Sequence, residues 1–355
     1  MAKRSFYIKD SELDDYQVKV INKKTDNSYI VKGCAGSGKS ILALWKAKQI
    51  QEGGKGSYLY VVYTKALRQY MSDGIKQIGL HESNVVNFDA CFQWGKNDYG
   101  ELQRGVWKKG SYDYVIVDEA QDFSRDDIEL LKSKARKALL VYGDTAQQLY
   151  KFLKDKQTVS MEDIQYFTKF PVEQLVFNHR LPKKIARVAQ YLNSESDELE
   201  ERCTEEGTEK PKILEYNTKQ EQFAAIANLI KNKGMEDVGI LFRNNKEVDE
   251  AYDYFTNKGI EVEAKSYRHK DELDFTSDNP KLMTYHSSKG LQFENVFIPE
   301  CTAEGADDRN PLYVAITRTY RSLYIMHSGN LSCFFDDVPT DLYDDSLSTG
   351  PTLTL

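Results

Sequence analysis

The sequence predicts an α/β protein of two domains, each built on a mainly parallel sheet flanked by helices. Three observations carry that expectation. Short apolar runs alternate with amphipathic stretches along both halves, the pattern of a parallel sheet with crossover helices. The runs of the first half end in small or acidic residues, where an open sheet of this kind places its ligands. A chain of 355 residues can bury two sizeable cores, and Pro171 offers a break between them.

The elements follow in order. In the first half strands are expected at 29–32, 58–63, 85–88, 114–117 and 138–142, with helices at 40–51, 66–78 and 125–134. The second half repeats the style, with strands at 212–215, 238–242, 282–285, 296–299 and 322–327. Its helices are expected at 183–192, 220–231 and 245–258. The Glu-rich stretch 194–210 and the stretch 266–280 read as solvated loops. The first domain is thus expected over 1–171 and the second over 172–335. The remainder, 336–355, carries Asp336, Asp337, Asp341, Asp344 and Asp345 and reads as an acidic tail that is mobile or forms a small docking segment.

Composition narrows the class. A 40% hydrophobic and 29% charged chain is an ordinary soluble globular mixture. No apolar run reaches the length of a bilayer span, so no membrane partner is expected. Met-Ala-Lys-Arg-Ser at the start is not followed by the apolar core of a secretory leader. The five cysteines are odd in number and scattered, with no Cys-x-x-Cys pair. That argues against a disulfide framework or a zinc site and for a reducing, cytoplasmic setting. A net charge of −7 is not the field of a nucleic-acid binder, so any polyanion contact must come from local basic positions.

The chemistry is concentrated in two motifs. Gly33-Cys34-Ala35-Gly36-Ser37-Gly38-Lys39-Ser40 follows an expected strand and opens an expected helix. Gly33, Gly36 and Gly38 let the backbone curl so that its N–H groups face phosphates at the helix N-terminus. Lys39 then reaches the outer phosphates of ATP, and Ser40 supplies a ligand to Mg²⁺. Downstream, the apolar run Tyr114-Val115-Ile116-Val117 delivers Asp118 and Glu119. Two adjacent carboxylates at a buried strand end are costly to keep ionised, and a cation supplies the reason for both. Asp118 suits Mg²⁺, and Glu119 suits orienting or deprotonating an attacking water. The alternatives are bland: a Gly-rich turn before a helix, and a surface turn with two acids.

With these two motifs in place, the chain resembles the UvrD/Rep-type helicases of superfamily 1, in a minimal form. The resemblance runs in order through nearly the whole chain. Leu13-Asp14-Asp15-Tyr16-Gln17 is similar to the family's Q motif, which implies that Gln17 reads the adenine edge. Val62-Tyr63-Thr64-Lys65-Ala66 resembles motif Ia, and Asp118-Glu119-Ala120-Gln121-Asp122 is motif II in the family's own variant. Gly143-Asp144-Thr145-Ala146-Gln147-Gln148-Leu149-Tyr150 resembles motif III, with Gln147 at the position that senses the γ-phosphate. Phe152 falls where the family stacks a base, and Tyr63 and Thr64 where it touches the strand. Ordinary core packing is the competing reading for both aromatics.

In the second half Asn178-His179-Arg180 resembles motif IV, which implies that Arg180 reaches the γ-phosphate. His179 stands where the family has an adenine-stacking tyrosine. Thr284-Tyr285-His286-Ser287-Ser288-Lys289-Gly290-Leu291-Gln292-Phe293 is similar to motif V, which places His286 on the nucleic acid. Gln292 replaces the glutamate that meets the ribose. Leu312-Tyr313-Val314-Ala315-Ile316-Thr317-Arg318 resembles motif VI, with Arg318 as the arginine finger.

The resemblance implies two RecA-like P-loop NTPase domains with ATP and Mg²⁺ in the cleft between them. It implies hydrolysis coupled to 3′-to-5′ movement on a single strand, DNA rather than RNA. Only 46 residues separate Met71 from Asp118, and about a hundred separate Arg180 from Thr284, so the family's large inserted subdomains have no room. The expectation is a translocase that unwinds duplex poorly without a partner. The competing class is an ATP-driven switch, a regulatory subunit of a nuclease or anti-phage complex, which the acidic charge suits. An inactive nucleotide-binding scaffold is disfavoured because Lys39, Asp118, Glu119 and Arg318 are all present.

Overall fold

A computed structural model describes residues 12–97, 99–145, 152–153, 156–193, 198–302 and 305–347. The chain divides into two compact units, Met1–Asn178 and His179–Leu355. In the first, α1 (Asp15–Asn22) leads to β1 (Tyr29–Gly33), α2 (Lys39–Glu52) and β2 (Tyr58–Val62). Two short helices, α3 (Lys65–Tyr70) and α4 (Ser72–Gln77), precede β3 (Val85–Asn87) and the hairpin of β4 (Phe92–Lys96) and β5 (Leu102–Trp107). Then come β6 (Tyr112–Val117), α5 (Arg125–Lys134), β7 (Ala135–Gly143), the small pair β8 (Phe152–Leu153) and β9 (Lys156–Gln157), α6 (Met161–Thr168) and β10 (Val172–Leu175).

Six of these strands form one sheet in the order β10-β1-β7-β6-β2-β3, and every pairing is parallel. A parallel sheet covered on both faces needs uninterrupted apolar runs rather than alternation. All five residues of β2 and the last four of β6 are buried accordingly. Ile30, Leu59, Val61, Val115, Val117, Leu139 and Val141 pack in one core with Phe88, Phe123 and Ile128.

The first unit extends past the expected boundary at 171. Ile30 N donates to Pro171 O at 2.9 Å, and β10 pairs with β1, so the residues after Pro171 complete the first sheet. The single helix expected over 66–78 is broken at Met71, ahead of Ser72-Asp73-Gly74, three poor helix formers. The β4–β5 hairpin was not legible, since its strands carry Gly95 and Gly105 and no clean period of two.

The second unit opens with α7 (Lys183–Ala189) and α8 (Leu199–Arg202). β11 (Lys212–Tyr216), α9 (Lys219–Lys233), β12 (Val238–Phe242), α10 (Asn245–Asn257) and β13 (Glu263–Lys265) follow. The unit closes with β14 (Lys281–Thr284), β15 (Phe293–Ile298), α11 (Arg309–Ile316) and β16 (Thr319–Ser328). Its sheet, β11-β16-β15-β12-β14-β13, is again parallel throughout. Part of the stretch 194–210 is helical, as α8. The acidic tail is docked as far as Asp344: Asp344 O accepts from Ile213 N and Asp344 N donates to Pro211 O, each at 2.9 Å. The edge of β11 offers unpaired backbone groups, and the tail satisfies them.

Candidate functional site

Three neighbouring strands of the first sheet deliver the candidate chemistry at their carboxyl ends: β1 ends at Gly33, β7 at Gly143 and β6 at Val117. The loop after β1 turns through left-handed Gly36 (φ 74°) and Gly38 (φ 85°), a region where a Cβ is strained. Gly38 caps α2 with no side-chain bond, so the first-turn N–H groups of a 14-residue helix carry no side-chain cap. Such a helix end is a ready anion site. Lys39 Nζ donates to Gly33 O and Cys34 O, both at 2.8 Å, and lies 3.9 Å from Asp144 Oδ2. Ser37 Oγ is buried in the loop without a hydrogen-bond partner among the described residues. Glycine torsions, an uncapped helix end and a buried ammonium together fit a polyphosphate.

Gln17 sits beneath this loop. Its Nε2 donates to Ser37 O at 3.1 Å, while its Oε1 accepts from Asp14 N at 3.2 Å in the capping box of α1. The amide therefore ties α1 to the phosphate loop, a positioning task that the adenine-reading expectation did not include.

Asp118 is fully buried. Its Oδ2 accepts from Tyr60 Oη at 3.0 Å, its Oδ1 from Glu119 N at 3.0 Å, and Ser40 donates a further hydrogen bond. Burial, reinforced by the adjacent Glu119 charge, pushes its carboxyl up to about 6. Glu119 adopts φ 53°, unusual for a residue with a Cβ and worth about 1–3 kcal/mol of strain. Its carboxylate accepts from Gln121 Nε2 at 2.5 Å, and Gln121 Oε1 in turn accepts from Asp144 N at 2.9 Å. One buried amide thus joins the strained carboxylate to the end of β7. Gly143 is required there, because a Cβ would lie 2.6 Å from Gln121 Oε1.

A divalent cation fits this donor set. The two adjacent carboxylates are disfavoured when both are ionised, and Ser40 and Asp118 are already in contact. Among the described residues no group of three or more His, Cys, Asp or Glu side chains could hold a metal. Mg²⁺ suits such a place, since it uses one or two protein oxygens together with phosphates rather than an all-protein cage.

In the second unit Arg318 is 1% exposed. Its Nε donates to Val314 O at 2.8 Å, Nη1 to Leu291 O at 3.5 Å and Nη2 to Thr317 Oγ1 at 3.0 Å. Arg180 Nη2 donates to Thr317 O at 3.0 Å, so Thr317 brings the two arginines together. His179 is exposed, and Gln292 is half-buried just before β15. Burial lowers the His286 imidazole below its usual range, with Asp308 opposing. A ring kept neutral at pH 7 meets a strand by stacking or hydrogen bonding, not as a cation.

The expected strand contacts of the first unit have structural tasks. Tyr63 is half-buried edge-on against Phe123, with ring centroids 5.2 Å apart, and Thr64 Oγ1 caps α3 by accepting from Leu67 N at 3.1 Å. Gln147 and the Phe152 side chain lie outside the described residues. Sequence reasoning missed Tyr60, Gln121, Asp144 and Thr317. The last three stand inside the quoted motifs, but their partners are up to 137 residues away. A tyrosine hydroxyl inside the apolar run of β2 was the available signal for Tyr60.

The model of the AAA domain matches residues 17–153, which span the phosphate loop, the carboxylates and β7. The model of the UvrD-like helicase C-terminal domain matches residues 281–326, from β14 through α11 and most of β16. The chain thus resembles an AAA domain in its first half and a UvrD-like helicase C-terminal domain in its second, and neither match spans half of the chain. Helicase-like domains of this kind suggest, in general terms, an ATP-hydrolysing and nucleic-acid-associated protein. No curated protein matches the sequence. Among solved structures, the chain is similar to the C-terminal domain of a possible DNA helicase from Lactobacillus plantarum. That likeness has 16% identity over 47% of this chain and 97% of the other, at a TM-score of 0.38. It is also similar to the arterivirus nonstructural protein 10 helicase, at 16% identity over 90% of this chain and a TM-score of 0.45. The same viral protein in complex with DNA gives 17%, 90% and 0.46. The chain spans 63 and 64% of those two viral chains. No helix among the described residues is long and apolar enough to cross a membrane.

Proposed function

We propose that this protein is a UvrD/Rep-like ATPase stimulated by single-stranded nucleic acid, and that it couples hydrolysis to movement along single-stranded DNA. The observation that carries the reading is the buried Asp118–Glu119 pair set beside the Lys39 loop, with Glu119 held by Gln121. In this reading the loop N–H groups and Lys39 bind the phosphates, and Ser40 and Asp118 hold Mg²⁺. The cation, when bound, neutralises charge on the outer phosphates. Glu119 accepts a proton from the attacking water while the Gln121 amide keeps its carboxylate aimed. Arg180 and Arg318 supply cationic charge to the transferred phosphoryl group, and Gln147 senses it. Gln17, His179 and Gln292 serve the base and ribose side. Tyr63, Thr64, Phe152 and His286 serve the strand.

By family resemblance movement runs 3′ to 5′, and the lack of room for inserted subdomains leaves the purified protein a weak unwinder. Displacement of streptavidin from biotinylated oligonucleotides tests direction and movement together. Faster release from the 5′ end is expected, and ATP-independent or end-independent release contradicts translocation. A second reading is an ATP-driven switch serving a protein partner such as a nuclease subunit. The structural tasks of Tyr63 and Thr64 favour it, since two expected strand contacts are already engaged. Hydrolysis indifferent to nucleic acid is its signature.

A further inference from the structure

The β4–β5 hairpin takes no part in the candidate nucleotide chemistry, yet it builds a surface of its own. A cavity of about 510 Å³ is lined by Lys65, Asp89, Ala90, Phe92, Trp94 and Lys108. Trp94 is 47% exposed, and its indole is fixed because Nε1 donates to Asp89 O at 3.0 Å. Lys65 starts α3 and Lys108 follows β5, so two separate elements bring lysines to the lining of one cavity. Neither forms an ion pair among the described residues. The one carboxylate in the lining, Asp89, is neutralised by Arg104, whose Nε and Nη2 donate to Oδ1 at 3.0 and 2.7 Å. The lining is therefore locally positive on a chain of net charge −7.

We propose that this groove is a single-strand subsite, in which one base stacks on Trp94 and the flanking phosphates pair with Lys65 and Lys108. A fixed half-exposed aromatic in a cavity lined by lysines is an arrangement that binds single strands without regard to sequence. Pre-fixing the indole removes the entropy of ordering it on binding. Lys65 directly follows Tyr63 and Thr64 in the chain, so the expected strand contacts adjoin this lining in sequence. The volume admits a nucleotide. The inference rests on the nucleic-acid reading above and locates one of its contacts.

The test is titration of a labelled oligothymidylate into the full chain, read by anisotropy and by intrinsic tryptophan fluorescence. The protein has three tryptophans, Trp45, Trp94 and Trp107, of which Trp94 alone is among the exposed large hydrophobics. Stacking should quench the fluorescence, and Trp94→Phe should abolish most of that quench while retaining measurable binding. Trp94→Ala should raise Kd about tenfold, equivalent to about 1.4 kcal/mol. Lys108→Glu, on an exposed position that cannot disturb the core, should weaken binding and flatten the salt dependence by about 0.7 in slope. If the wild type binds without quenching and all three variants bind as it does, the strand lies elsewhere and the subsite is refuted while the parent reading stands. Equal quenching by polyglutamate, which has no base to stack, also overturns it. A wild type that binds no single strand and is not stimulated by one removes the parent reading and this inference together.

Discussion

Replacing Asp118 by asparagine should stabilise the metal-free protein while destroying its hydrolysis. Burial and Glu119 raise the Asp118 carboxyl from 3.8 to about 6. Between those values the folded state holds a proton that the unfolded chain has released, so stability falls as pH rises through the window. The deficit is complete above it. That rise corresponds to about 3 kcal/mol at pH 8. Asparagine removes that term, but its single carbonyl cannot accept from both Tyr60 Oη and Glu119 N, which forfeits about 1 kcal/mol. The net gain is about 2 kcal/mol, or roughly 4–8 °C in the Tm of a unit of this size. At pH 5 the wild-type group is largely protonated when folded, and the gain shrinks to about half a kcal/mol. Thermal unfolding in chelator at both pH values measures this directly. An asparagine variant less stable than the wild type at pH 8, or a gain equal at both pH values, would refute the electrostatic account of the pair.

Other outcomes follow from the same geometry. Gly38→Ala must place a Cβ at φ 85° and 2.9 Å from Gln17 Nε2, so it should cost about 1–3 kcal/mol and weaken ATP-analogue binding in calorimetry. Gln121→Leu removes the amide acceptor of the Asp144 N–H and the amide donor to Glu119; turnover should fall by about a hundredfold with little change in nucleotide affinity, and stability by about 1–3 kcal/mol. Arg318→Lys cannot span Val314 O, Leu291 O and Thr317 Oγ1, so hydrolysis should fall by about 10³ and denaturant unfolding should show a loss of about 1–3 kcal/mol.

Much of the fold was legible because parallel strands buried on both faces must be apolar along their length, as 58–62 and 238–242 are. The phosphate loop was legible because glycine torsions and a lysine at fixed spacing leave few other uses. What escaped has physical reasons. The strand Val172–Leu175 is only four residues and carries Glu173, whose carboxylate needs Lys19 and Lys23 from another element to be tolerated in the sheet. The hairpin that holds Trp94 has no hydrophobic period to read. Roles such as those of Gln121 and Thr317 exist only as bonds between distant motifs, and residue spacing carries no trace of them. The exposed side of Tyr63 and the neutrality of His286 likewise depend on neighbours such as Phe123 and Lys289 that only the folded chain supplies.

The most direct test of the central claim is steady-state ATP hydrolysis with no nucleic acid, single-stranded DNA, RNA and duplex, run beside Glu119→Gln. The account predicts a rise of about tenfold or more with single-stranded DNA, about 1.4 kcal/mol of barrier, and loss of that activity in the variant. Hydrolysis that depends on Glu119 but stays flat across all four conditions would contradict the motor and leave the switch.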